Sequence, residues 1–268
     1  MSADDRVGSQ SRAELAADLA MRGGRLALEH FYQARAPVTD AQLAIRSALG
    51  REIARCFPMD GLLGGHPPRD APLSEARYEW ILDAIDETHN FVRGLPGFCV
   101  SVGILREGNV FASAVYDPVA RWLFTACTGR GAWLNDRALR VHGAAPRDGA
   151  LCSFRTPCRT GVPDFVDDWM QRHRVRRFGS TTLDLCYIAL GGLDFVHDDG
   201  ASLWDIAGAA AIVLEAGGVL TDDDGDLLFP VTAAQRAGAP IALLAGQPAA
   251  HAAALCDIRI ARSTRVSS

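Results

Sequence analysis

The chain contains no lysine: all 27 of its basic residues are arginine. That excludes a Schiff-base lysine, a Walker-type phosphate lysine and a kinase-type lysine together. Basic charge as a whole is short, since 32 acids leave a formal net charge of −5. A nucleic-acid partner, which demands a basic face, is therefore not expected. No apolar run reaches the roughly 18 residues needed to span a bilayer, so no membrane partner is expected either. The first ten residues, MSADDRVGSQ, lack the basic-then-apolar order of a secretion signal, and a cytoplasmic location is the expectation. The seven cysteines are odd in number, scattered and without a C-x-x-C pair, which argues against a disulfide framework or a zinc site. They read as small buried hydrophobes.

The 268 residues are 49% hydrophobic and 22% charged, the balance of an ordinary globular protein with a sizeable core. Residues 1–10 read as a flexible tail. An N-terminal α+β part follows over 11–145, and a C-terminal α/β part over 146–268. Leu15, Leu19, Leu26 and Phe31 recur at roughly helical spacing, interrupted by Gly23-Gly24. Thr39-x-x-Gln42 reads as a capping box ahead of a helix with Ile45, Leu49 and Ile53 on one face. Residues 57–76, rich in Gly, Pro and charge, read as a long loop.

Beyond the loop the texture is strand-like. Trp80-Ile81-Leu82 ends on an acid, Phe98 to Leu105 is a second run, and Glu107-Gly108-Asn109 is a hairpin turn into VFASAVYD. Leu183–Leu190 and Trp204–Ala216 read as helices, the latter stopped by Gly217-Gly218. Phe195-Val196 and IALLA read as strands, and HAAALCDIRIA as a closing helix. Helix runs before and after a meander suggest alternating layers of helix and sheet.

The informative segment is Asp83-Ala84-Ile85-Asp86-Glu87-Thr88-His89-Asn90-Phe91. Two aspartates at a strand end, with the Ile85 carbonyl between them, offer the oxygen ligands that a hard cation such as Mg²⁺ requires. A helix opening at Thr88 would present backbone N–H groups to a phosphate. The same residues also fit an acidic loop with an N-cap. Further along, Ser202-Leu203-Trp204-Asp205-Ile206-Ala207-Gly208 puts an acid in the first turn of a helix. Asp205 there could be a ligand, or it could complement the helix dipole and complete a capping box with Ser202.

Taken together with the downstream EAGG, these segments resemble the inositol monophosphatase family, whose members carry W-x-x-D-P-x-D-G-T-x-N-F and W-D-x-A-x-G motifs. Tyr116-Asp117-Pro118, Gly129-Arg130-Gly131-Ala132, Leu134-Asn135 and Arg177-Phe178-Gly179-Ser180 fall in the same order, so the resemblance spans roughly residues 11–260. It implies an α/β fold, the layered αβαβα sandwich of the inositol monophosphatase and fructose-1,6-bisphosphatase type. It also implies a Mg²⁺-dependent, lithium-sensitive phosphomonoesterase and a homodimer. Carried over by position, Asp83, Asp86, Asp205 and the Ile85 carbonyl are metal ligands, and Thr88 orients the attacking water. Asp86 joins Thr88 in the catalytic set, and so does Glu87, which the family pattern does not supply and which would replace a lost ligand, serve as acid or base, or block the phosphate by charge. Asp198, Thr88 and His89 face the substrate.

Three departures weaken that transfer. Gly64-Gly65-His66 stands where the family has G-E-E, so a metal-binding glutamate is missing. Gln42 replaces the acid that partners the threonine, and Glu87 replaces the glycine of D-G-T. Because two-metal sites hold their cations roughly 3.5–4 Å apart, losing acids implies an incomplete Mg²⁺ cluster. His66 and His89 are poor substitutes, since imidazole suits softer cations. Two functions are implied: a weakened or re-specialised phosphatase of a small polyol or sugar phosphate, or a relative that has lost hydrolysis. The latter would be a cyclase- or lyase-type enzyme or a silent binding protein.

Overall fold

The computed structural model describes residues 3–32, 37–64, 76–143, 149–155 and 161–266. In chain order its elements begin with helices α1 (Ala3–Tyr32) and α2 (Val38–Cys56). The strand β1 (Gly61–Gly64) and the long strand β2 (Tyr78–Asp86) follow, then the short helix α3 (Thr88–Val92). A meander comes next: β3 (Cys99–Arg106), β4 (Asn109–Asp117), β5 (Trp122–Cys127), β6 (Ala132–Leu134) and β7 (Arg137–Leu139). The remainder alternates: β8 (Leu151–Phe154), α4 (Asp164–Arg172), β9 (Arg174–Val175), α5 (Thr181–Leu190), β10 (Phe195–Ala201) and α6 (Leu203–Glu215). It closes with β11 (Val219–Thr221), α7 (Ala233–Arg236), β12 (Ile241–Gly246) and α8 (Pro248–Val266).

The strands form a seven-stranded sheet in the order β1-β2-β3-β4-β5-β6-β7 and a five-stranded sheet in the order β11-β12-β10-β8-β9. Alternation along the strands assigns the layers, because successive side chains point to opposite faces. Trp80 and Leu82 of β2 pack with Leu19, Ile45 and Ile53 of α1 and α2, whereas Ile81 faces α5 and α6. In β12, Leu243 and Ala245 also face α5 and α6, while Leu244 packs with Trp169 of α4 and Ile258 of α8. Helices thus cover both outer faces and fill the middle, which is the expected αβαβα sandwich. Strands buried on both faces read as continuous apolar runs, as β2 and β3 do.

Small residues set how closely the layers approach. A Cβ on Gly24 would lie 2.3 Å from the Tyr116 ring, so the glycine pair that weakens α1 lets that helix settle onto β4. Between the sheets, a Cβ on Gly103 of β3 would lie 2.6 Å from the backbone of Ala207, and one on Gly208 would lie 2.5 Å from Ser101. The Ser113 hydroxyl donates to the Ala207 carbonyl at 2.9 Å and accepts from the Ala211 N–H at 3.2 Å. These contacts pin the N-terminal half of α6 against the first sheet.

Three details differ from expectation. α1 begins at Ala3, within the stretch that reads as a tail. Thr39 lies inside α2 rather than capping it: Pro37 is the N-cap, and its ring carries no oxygen that could accept a hydrogen bond from the first turn. The Gly-rich segment after α2 supplies β1, which pairs parallel to β2 through Gly61–Gly64. The Gly65 and His66 assignments fall outside the described residues. Four described cysteines are buried and free, as expected, but Cys56 and Cys256 are exposed.

Candidate active site

β2 runs through the core and ends at Asp86, where its pairing with β3 changes register between Asp83 and Asp86. In a regular strand, residues three apart point to opposite faces; the extra residue of a bulge re-aims one of them. Both carboxylates consequently reach the same end of the sheet. The third acid comes from α6. Asp205 stands three residues after the N-cap Ser202, and its Oδ2 accepts the Ser202 N–H at 2.8 Å. The capping box and the ligand reading are therefore compatible: one oxygen closes the helix while the residue faces Asp83 and Asp86.

Ligand oxygens of Asp83, Asp86 and Asp205 lie within 4.8 Å of one another, and among the described residues this is the one such cluster. Asp83 Oδ1 accepts the Ile85 N–H at 3.2 Å. Asp86 Oδ2 accepts from the Ser180 hydroxyl and, at 3.7 Å, from the Cys99 thiol. Burial drives all three carboxyls upward. Asp83 is held well above the usual range, with the charges of Asp86 and Asp205 adding to desolvation. Asp86 is raised by desolvation against its hydroxyl bonds. Asp205 is pushed to about 7, by burial first and then by Asp86. Three hard oxygen donors whose mutual repulsion asks for a cation fit Mg²⁺ or a similar divalent ion.

The cluster opens into a cleft of about 890 Å³, lined also by Gln42, Ile85, Glu87, Thr88, His89 and Asp198. Every site residue expected from the sequence, apart from the undescribed Gly65 and His66, meets there. Their engagements differ. Glu87 adopts a left-handed backbone, φ 62°, and is the N-cap of α3, its Oε1 accepting the Asn90 N–H at 3.2 Å. It packs against Gly179, where a Cβ would fall 2.7 Å from Glu87 Oε2. The carboxylate thus occupies the helix entrance and stays out of the three-aspartate cluster. Asp198 is buried with both oxygens engaged: Oδ1 accepts from Gly200 N–H at 2.9 Å and Arg155 at 3.3 Å, and Oδ2 accepts from the Thr181 hydroxyl at 2.7 Å.

Arg46, Arg155, Arg177 and Asp184 also line the cleft; of these, the sequence motifs include Arg177 but assign it no role. Asp184 accepts from the Ser153 hydroxyl at 2.5 Å, its other oxygen is buried without a partner, and burial pushes it to about 8. Arg46 follows Gln42 by one helical turn, a spacing that α2 makes legible only once the cleft is known. The remaining motif residues are structural. Glu215 of the EAGG segment accepts the N–H groups of Gly129 and Gly131, each at 2.8 Å, and Asp117 accepts those of Val119 and Ala120, each at 2.9 Å.

The family model described as "Inositol monophosphatase family" matches residues 7–263. A "Nus factor SuhB" of Pseudomonas aeruginosa is 35% identical over 201 residues, covering 72% of this chain and 74% of that protein. An "Inositol-1-monophosphatase" of Rhizobium meliloti is 32% identical over 195 residues, covering 70% and 73%. Among solved structures, the inositol monophosphatase from Anabaena superposes with a TM-score of 0.78 at 26% identity, covering 93% of this chain and 95% of that one. An IMPase of Thermotoga maritima gives a TM-score of 0.81 at 25% identity, covering 95% and 99%.

Proposed function

The chain belongs to the inositol monophosphatase family, and from that premise we propose that it is a Mg²⁺-dependent phosphatase of a small polyol, sugar or related phosphate, weakened or re-specialised in its metal site. The observation that carries this reading is the convergence of Asp83, Asp86 and Asp205 from two elements onto one cleft. When bound, Mg²⁺ supplies electrophilic polarisation of the phosphoryl group and acidifies water. The three aspartates would hold the ion, with the Ile85 carbonyl beside them. Thr88, in the first turn of α3 and lining the same cleft, would orient the attacking water. Gln42 cannot take a proton from that threonine, and losing a water-activating acid costs on the order of 10²–10⁴ in rate. With three carboxylates in the described cluster, one well-held cation is expected rather than a full set.

A second reading is favoured by Glu87, whose carboxylate takes an N–H at the start of α3 where a phosphate would approach. In that reading hydrolysis is lost, and the cleft serves a cyclase- or lyase-type reaction or simple binding. Phosphate release from a panel of phosphomonoesters, with and without Mg²⁺ and with Asp205→Asn as control, separates the two. Mg²⁺-dependent release abolished by the substitution supports the phosphatase; no release from any ester supports the second reading. We further propose a cytoplasmic homodimer divided near residue 145. Among the described residues no helix is long and apolar enough to cross a membrane. Strands before residue 145 all lie in the first sheet and those after it in the second. Sedimentation at micromolar concentration tests the dimer.

A further inference from the structure

Asp86 ends β2 beside the start of α5, and its two carboxylate oxygens are in different circumstances. Ser180, the N-cap of α5, accepts the Leu183 N–H at 2.9 Å, which leaves its one hydroxyl proton to donate to Asp86 Oδ2. Cys99, the partner of Asp86 across the β2–β3 ladder, donates its thiol to the same oxygen at 3.7 Å. Ser180 and Cys99 are wholly buried, so water does not compete for either bond. A carboxylate oxygen has two lone pairs, and both of those on Oδ2 are thereby taken. The Thr182 hydroxyl, also close to Asp86, donates its proton to the Asp205 carbonyl at 2.9 Å and so fastens α5 to the start of α6. Oδ1 is the oxygen of Asp86 that remains for a cation.

The other two aspartates follow a similar pattern. Asp83 Oδ1 accepts the Ile85 N–H at 3.2 Å, and Asp205 Oδ2 accepts the Ser202 N–H at 2.8 Å. What the cluster presents is therefore chiefly one oxygen from each residue, rather than carboxylates that grip with both. Cations differ in their use of such a set. Ca²⁺ gathers roughly six to eight oxygens and often takes both from one carboxylate, whereas Mg²⁺ demands a tight octahedron, few carboxylates and several waters. Of the three locks, the one on Asp86 is made by side chains, so substitution can open it.

Resting on the cation-site reading of the three aspartates, we propose that Ser180, supported by Cys99, is a positioning and specificity residue: by saturating Asp86 Oδ2 it keeps Asp86 a one-oxygen ligand and weights the cluster toward Mg²⁺ against Ca²⁺. The test is calorimetric titration of the whole chain with Mg²⁺ and, separately, with Ca²⁺, in the absence of phosphate. It requires no turnover, so its result is independent of whether the protein hydrolyses phosphate. Losing an outer partner of a ligand typically costs about 10–100-fold in metal affinity. Ser180→Ala should lose that much for Mg²⁺ but far less for Ca²⁺, which can use the freed oxygen. The ratio of Ca²⁺ to Mg²⁺ affinity should accordingly rise by at least about tenfold. Cys99→Ala, which removes the weaker donor, should shift the ratio in the same direction by a smaller factor. Ser180→Thr, which keeps both the cap and the hydroxyl proton, should return the parent's ratio. Because Ser180→Ala also uncaps α5, thermal melts in a chelator accompany it; if that variant does not melt cooperatively, Cys99→Ala decides by the sign of its shift. Equal weakening of both cations, or a ratio that does not move, would show the hydroxyl to be merely structural and overturn the proposal while leaving the cation site standing. Failure of the parent to bind either cation would overturn the site and the proposal together.

Discussion

Replacing Glu87 by glycine changes a backbone strain, a helix cap and a charge at once, and each has a calculable size. The left-handed φ of 62° costs a non-glycine residue roughly 1–2 kcal/mol, which glycine does not incur. Losing the bond from Asn90 N–H, with glycine as the new N-cap, costs a few tenths of a kcal/mol. Stability should therefore rise by about 1 kcal/mol, a Tm increase of about 2–4 °C for a chain of this size. The charge effect is larger. A carboxylate about 5 Å from a phosphate, at an effective dielectric near 20, repels it by about 3 kcal/mol. Because Glu87 is only half-buried, solvent screening reduces that figure, and a rise in kcat/KM of roughly tenfold to a hundredfold is expected. Glu87→Gln separates the contributions, since its amide oxygen can still accept from Asn90 while the charge is gone. Phosphate release with saturating Mg²⁺ and thermal melts measure both quantities. If both variants fold and neither hydrolyses faster than the parent, Glu87 is not an obstacle to phosphate. If both are slower, it is a working part of the site.

The triple variant Gly65→Glu, Gln42→Asp, Glu87→Gly should raise Mg²⁺-dependent turnover by more than the product of the single effects, because the three positions serve one site; additive singles in steady-state assays would contradict this. Gly103→Ala forces a Cβ to 2.6 Å from the Ala207 backbone, so α6 must shift. Overpacking of this kind costs about 1–3 kcal/mol, and both the melting temperature and Mg²⁺ affinity should fall; loss of stability with unchanged affinity would show that α6 does not position Asp205. Asp184 at about 8 and Asp205 at about 7 keep protons that the unfolded chain has already released above its ordinary carboxyl range. Stability without metal should accordingly fall as pH rises from 6.5 to 8, by up to about 1.4 kcal/mol per pH unit for each carboxyl still protonated in the fold. The depressed pKa of His251 acts in the opposite sense, but that contribution is complete by about its ordinary value of 6.5. Denaturant melts in a chelator, flat or rising with pH over this window, would refute the assignment.

The layers were legible because their signals are local. Ile45, Leu49 and Ile53 share a helical face, and the runs of β2 and β3 are apolar because both sheet faces are covered. The aspartates were legible through their motifs, yet spacing alone could not show how Asp83 and Asp86 face the same way. The bulge that re-aims them exists only in the pairing with β3. The Thr39 capping box does not form because the pattern of a cap does not specify which residue starts the helix, and the N-cap is Pro37, two positions earlier. Arg155 and Arg177 join the cleft through the order of parallel strands in the second sheet and Asp184 through α5, so a motif such as Arg177-Phe178-Gly179-Ser180 gives their order in the chain but not their meeting. The sequence reads Glu87 as a carboxylate at a phosphate's approach; that it caps α3 is visible only in the structure.

We propose that Asp83, Asp86 and Asp205 form a divalent cation site that is incomplete by the standard of a multi-metal phosphatase. Calorimetric titration with Mg²⁺, in the absence of phosphate, tests it most directly. At most one well-occupied site is expected, with affinity rising from pH 6 to pH 8 as Asp205 loses its proton, and with binding abolished in Asp205→Asn. Two or more tight sites, or binding that survives Asp205→Asn unchanged, would contradict it.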